Sequence, residues 1–125
     1  MNQLLFGAGV LAVLVGLVHS ILGELLIFNK LRSGGIVPTK DCPPLRSKNV
    51  RILWATWHIA SLFGWAFAAL LFELAFNNQF DTKILLTYIG WGMFSSGVLV
   101  LYATRARHPG WLGLCGVAIL CWTAL

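Results

Sequence analysis

Between Leu4 and Phe28 the chain carries a single charged residue, Glu24, and between Ile52 and Phe76 it again carries one, Glu73. Ile84 to Ala103 and Trp111 to Leu125 carry none. A helix that is apolar all round belongs in a protein core or in lipid, and about 20 such residues cross a bilayer. The first two stretches exceed that length and the third just meets it. The fourth, extended back to Pro109, is short and calls for local thinning of the bilayer or a neighbouring chain to lean on. Lipid offers no partner to a backbone N–H or C=O, so helices that satisfy their own groups are required. The expected fold is all-α: a bundle of four transmembrane helices in one domain, residues 1–125, with antiparallel up-down topology. The spans fall at about 4–28, 52–76, 84–103 and 109–125, with a loop at 29–51.

Composition agrees. Charged residues make up 10% of the chain and hydrophobic ones 58%, against about 25% charged in a soluble domain. Met1-Asn2-Gln3 has no basic side chain and no small-residue cleavage site follows the first apolar run, so that run is expected to be retained.

Basic residues sort by loop. Lys30, Arg32, Lys40, Arg46, Lys48 and Arg51 lie between spans one and two against only Asp41, and Arg105 and Arg107 follow span three. Asp81 and Lys83 alone separate spans two and three. The positive-inside rule then makes both basic loops cytoplasmic and puts both termini on the non-cytoplasmic side, in a bacterial inner membrane. The eight cations are expected to meet lipid headgroups or a partner chain, and the net charge of +5 needs no nucleic acid to explain it. The first loop, with Ser33-Gly34-Gly35 and Cys42-Pro43-Pro44, reads as turns and as a solvated basic tether, with a lid or partner surface as the alternative.

Gly9, Gly16 and Gly23 recur every seventh residue, with Ala12 and His19 between them. That is the small-residue seam of a closely packed helix pair, repeated in Gly90, Gly97 and Thr104. His19 therefore faces the interior. At about 1.5 Å per residue it lies roughly 13 Å from the cytoplasmic end of its span, with His58 roughly 9 Å and Glu24 roughly 6 Å from the same side. His108 sits at the mouth of span four.

Ionisable groups at such depth mark a functional site by default. Two or three histidines with a carboxylate suit a transition metal ion, and two histidines on different helices suit haem b. The leading expectation is thus a metal or haem site built on His19 and His58, with Glu24 and His108 completing it. The alternatives are an accessory subunit or assembly factor of a larger membrane complex, and a homo-oligomeric ion or proton-coupled transporter. Against a site stands a simpler packing role. In that role His19 bonds Ser61, Thr56 or a carbonyl, and Glu24 pairs with Arg51 or Lys30. Trp54, His58, Ser61 and Trp65 share one face of span two, as packing or as a wall beside a ligand. Cys115 falls on the helical face of His108 if the fourth helix begins early enough, as a core filler or a soft ligand. No HExxH, HxxxH or CxxCH is present, and neither Ser95 nor Ser96 has a base beside it, so no catalytic role is assigned.

Overall fold

The computed structural model describes residues 1–77 and 81–125 and is all-helical, with four α-helices: α1 (Gln3–Leu26), α2 (Ser47–Phe76), α3 (Thr82–Thr104) and α4 (Gly110–Thr123). Three are long and apolar enough to cross a membrane, while α4 is shorter. The 30 residues of α2 make about 45 Å of helix, which outreaches a hydrocarbon core of about 30 Å. Its first turn, including Arg51, belongs to the segment assigned to the loop from sequence.

Each helix starts and stops for a local reason. Asn2 caps α1 by accepting from the N–H groups of Leu4 and Leu5 at 3.1 and 3.3 Å. Its own N–H reaches the Ala75 carbonyl at 2.7 Å and ties the start of α1 to the end of α2. Asp81 caps α3 through the Lys83 N–H at 2.9 Å. At its far end α3 closes on Arg105 and Ala106, with φ of 53° and 62°, and the Ala106 N–H returns to the Leu101 carbonyl at 3.0 Å. That is the Schellman closure, here made without glycine.

Extensive contact joins sequence neighbours only: α1 with α2, α2 with α3, and α3 with α4. The bundle is therefore open, with the helices in a row. The α1 glycines meet large aromatics of α2 in reverse order, Gly9 on Phe72, Gly16 on Trp65 and Gly23 on Trp57. A Cβ at Gly9 would stand 2.7 Å from Phe72, and one at Gly16 would stand 2.5 Å from Trp65 Nε1. The seam read from sequence is real, and its holes are filled by rings. On α3, Gly90 receives Trp122 and Gly97 receives Cys115 Sγ, so Cys115 fills a packing notch.

Burial within the apolar windows is 11% for α1, 17% for α2 and 28% for α3. Leucine, valine and isoleucine thus dominate the free face of α1, which only lipid or another apolar surface can cover.

The first loop is no solvated tether. A short 3₁₀ helix, Phe28–Leu31, follows α1 and buries Phe28 to 3% exposure. Val37 packs on the cluster of Phe28, Trp54, Ala55, Val100 and Ala103, and Pro38 is fully buried. Thr39 and Lys40 donate to the Leu31 carbonyl at 3.0 and 2.9 Å, and Asp41 accepts from the Ser47 N–H at the start of α2. The loop folds back over the end of the α1–α2 pair.

Candidate functional site

Beneath that folded loop, α1 and α2 exchange a connected set of polar contacts. Spacing explains it. Ser20 and Glu24 stand four apart on one face of α1, and Trp54, His58, Ser61 and Trp65 stand three or four apart on one face of α2. The α2 face, readable as packing or as a ligand wall, turns wholly to α1.

The chain of contacts begins at a carbonyl. Ser61, 2% exposed, donates its hydroxyl to the Gly16 carbonyl at 2.8 Å. Ser20 Oγ lies 2.8 Å from Ser61 Oγ and 2.9 Å from His58 Nδ1. His58 Nε2 lies 2.9 Å from Glu24 Oε1. Glu24 also accepts from the Trp54 indole N–H and forms an ion pair with Arg32.

The direction of every bond is fixed from its start, because a carbonyl only accepts. Ser61 commits its single proton to Gly16, so the Ser20 hydroxyl must donate to Ser61. With its own proton spent, Ser20 accepts from His58, which places a proton on Nδ1. The opposite ring nitrogen faces a carboxyl oxygen that already takes the Trp54 N–H. A bare Nε2 against an ionised carboxylate would set lone pair against lone pair. The network therefore holds one further proton in the His58–Glu24 bridge. Trp54 and Arg32 donate to the same carboxylate, which favours a proton on the His58 side of the bridge.

Side-chain exposure is 16% for His58, 27% for Glu24 and 22% for Arg32. All three side chains of the bridge are thus partly buried. Phe28 roofs the ring of His58 at a centroid distance of 6.2 Å, and Trp54 meets the ring edge-on at 4.9 Å.

His19 lies beside this network and outside it. Its ring stacks on Trp57 at 4.4 Å and 8°. His19 Nε2 bonds the Trp57 carbonyl at 3.2 Å, and the Trp57 indole N–H returns to the His19 carbonyl at 3.0 Å. This is the carbonyl bond that a packing role predicts. Trp65 makes a similar bond to the Val13 carbonyl at 3.3 Å.

Several expectations are corrected. His19, His58, Glu24 and His108 are not gathered into a ligand set, and among the described residues no group of three or more His, Cys, Asp or Glu is placed to hold a metal ion. His19 and both ring nitrogens of His58 are engaged by protein groups instead. His108 is exposed beyond the Arg51–Arg107 side of the helices, with Nδ1 accepting the Gly110 N–H at 3.1 Å. Because α4 begins only at Gly110, His108 and Cys115 do not share a helical face. Glu24 pairs with Arg32, since the 3₁₀ turn brings that residue back over the end of α1, while Arg51 donates to the Ala103 carbonyl at 2.9 Å.

Of the eight cations expected at headgroups or a partner, Arg32 and Arg51 turn into the protein, while Lys30, Lys40, Arg46, Lys48, Arg105 and Arg107 are exposed. Glu73 is bonded by the Asn77 side chain, and Asn78, its other expected neighbour, lies outside the described residues. Sequence reasoning missed Ser20. The signal was its spacing to Glu24 opposite the His58–Ser61 pair.

Comparison with protein families, with curated proteins and with solved structures gives no match to this chain.

Proposed function

We propose that the protein is an integral protein of the bacterial inner membrane that binds and exchanges a proton at the His58–Glu24 bridge, in the service of proton-coupled transport. The observation that carries this reading is the unbroken chain of hydrogen bonds from Gly16 through Ser61, Ser20 and His58 to Glu24. It ends with one proton more than a neutral imidazole beside a carboxylate supplies. Such chains of His, Glu and hydroxyl groups inside apolar helices are the usual means of moving protons through a bilayer.

The positive-inside rule supports the orientation, with the folded basic loop cytoplasmic and both termini outside. The bridge then lies in the cytoplasmic third of the α1–α2 pair. Arg32 marks the water side and Ser61 the apolar side. Ligation of a metal ion or haem by His19 and His58 ranks behind this reading. It would require the rings to leave the Trp57 carbonyl, Ser20 and Glu24.

Proteoliposomes of the full chain with an internal pH-sensitive dye test the proposal. Proton entry after an acid pulse that is lost in Glu24→Gln and in His58→Gln is expected. Entry that persists in both variants, or no entry with the unaltered chain, overturns the transport role.

A further inference from the structure

The facing ends of α2 and α3 form a half-open cavity of about 540 Å³, separate from the His58–Glu24 bridge and lined by Lys48, Arg51, Arg105, Arg107 and His108, with Ile52 among its apolar residues. Among the described residues none that lines it is acidic. Glu24 is the acid in every salt bridge among the described residues, so the four cations of the cavity have no carboxylate partner there.

Each wall offers donors. Arg51 is held half-buried by its bond to the Ala103 carbonyl at 2.9 Å, which leaves its remaining guanidinium N–H groups uncommitted. His108 accepts the Gly110 N–H on Nδ1, so the N–H its ring can offer is the one on Nε2. The first turn of α2 contains no acidic residue, and Asp41 of the loop takes the Ser47 N–H at its start, so the donors of the cavity are its side chains. The Schellman closure of α3 presents Arg105 and Arg107 from the opposite side.

Four cations and a ring N–H around one cavity match an oxyanion with several oxygens to share. Arginine forks recognise an oxyanion by paired N–H bonds, which a monatomic chloride cannot accept in the same way. The volume exceeds what bare phosphate needs and falls in the usual range of small-ligand sites. Its place at the helix ends, with Ile52 beneath the charges, is the level of lipid headgroups.

We infer that this cavity binds the phosphate of an anionic phospholipid headgroup. The inference does not depend on the role of the His58–Glu24 bridge, and Lys48 and Arg107 take no part in that network.

The test is native mass spectrometry of the full chain, delipidated in neutral detergent and titrated with phosphatidylglycerol or phosphatidylcholine. The double variant Lys48→Gln/Arg107→Gln is compared with Lys40→Gln, a basic residue of the same loop outside the cavity. Lys48 and Arg107 are exposed and make no side-chain hydrogen bond among the described residues, so the fold is spared, as a helical melt will verify. Phosphatidylglycerol is expected to bind more tightly than phosphatidylcholine and to weaken by about tenfold in the double variant alone. Displacement by inorganic phosphate would keep the phosphate site and assign it to the free anion. Equal binding of the two lipids, or equal losses in the double variant and in Lys40→Gln, overturns it.

Discussion

His58 Nε2 stands 2.9 Å from Glu24 Oε1 while Nδ1 of the same ring stands 2.9 Å from Ser20 Oγ. One imidazole thus joins a carboxylate paired with Arg32 to a hydroxyl pair that ends on a helix carbonyl. The ring is the only titratable element between the two ends, so its protonation follows from what its neighbours can donate.

Ser61→Ala removes the acceptor of the Ser20 proton. Ser20 is then free to donate to His58 Nδ1, the ring turns acceptor there, and the bridge loses its requirement for the second proton. Thermal unfolding in detergent is expected to fall by about 0.6–1.7 kcal/mol for each interhelical bond lost. Ser61→Thr, which keeps a hydroxyl, should restore the protonation of the ring.

Arg32→Gln takes the cation from Glu24 and leaves His58 and Trp54 as its remaining side-chain partners. With both side chains of the pair partly exposed, the cost lies between the surface and the buried case, about 1–3 kcal/mol. The loss should shrink as salt is raised, because the site opens to water. A salt-independent loss would assign Arg32 a packing role instead.

Gly16→Leu drives a side chain into Trp65 and is expected to separate α1 from α2, with loss of the helical melting transition. Gly7→Leu is the control, since nothing lies within 4 Å of a Cβ there. It should leave stability within about 0.5 kcal/mol. Trp57→Phe keeps a ring over His19 but deletes the indole N–H, and a cost of about 0.6–1.7 kcal/mol is expected.

Much of this was legible in the sequence, and the limits are physical. The seven-residue glycine spacing predicts a seam, since only close backbone approach favours it, but spacing does not say that Phe72, Trp65 and Trp57 fill it. Spacing brings His19 and His58 to neighbouring levels of the α1–α2 pair, yet it does not give their partners. A stacked Trp57 captures one ring and Ser20 with Glu24 the other. Glu24 with Arg32 has no helical spacing to betray it, because the chain leaves the α-helix at Ile27 and returns through a 3₁₀ turn. Fold class followed from hydropathy alone, whereas the open row of helices depends on contacts that hydropathy does not encode.

Cys42 is exposed in the folded basic loop and reports orientation without any added label. A membrane-impermeant thiol reagent is expected to modify it in inverted inner-membrane vesicles and not in right-side-out ones. Labelling in the reverse pattern would place the loop and the bridge on the outer side.

The most direct test of the central claim is the ¹⁵N spectrum of histidine-labelled full chain in lipid, with His58 assigned by its loss in His58→Gln. The account predicts that His58 carries protons on both ring nitrogens, and that Ser61→Ala removes this signature. A His58 with a bare Nε2 beside an ionised Glu24, unchanged in Ser61→Ala, would contradict it.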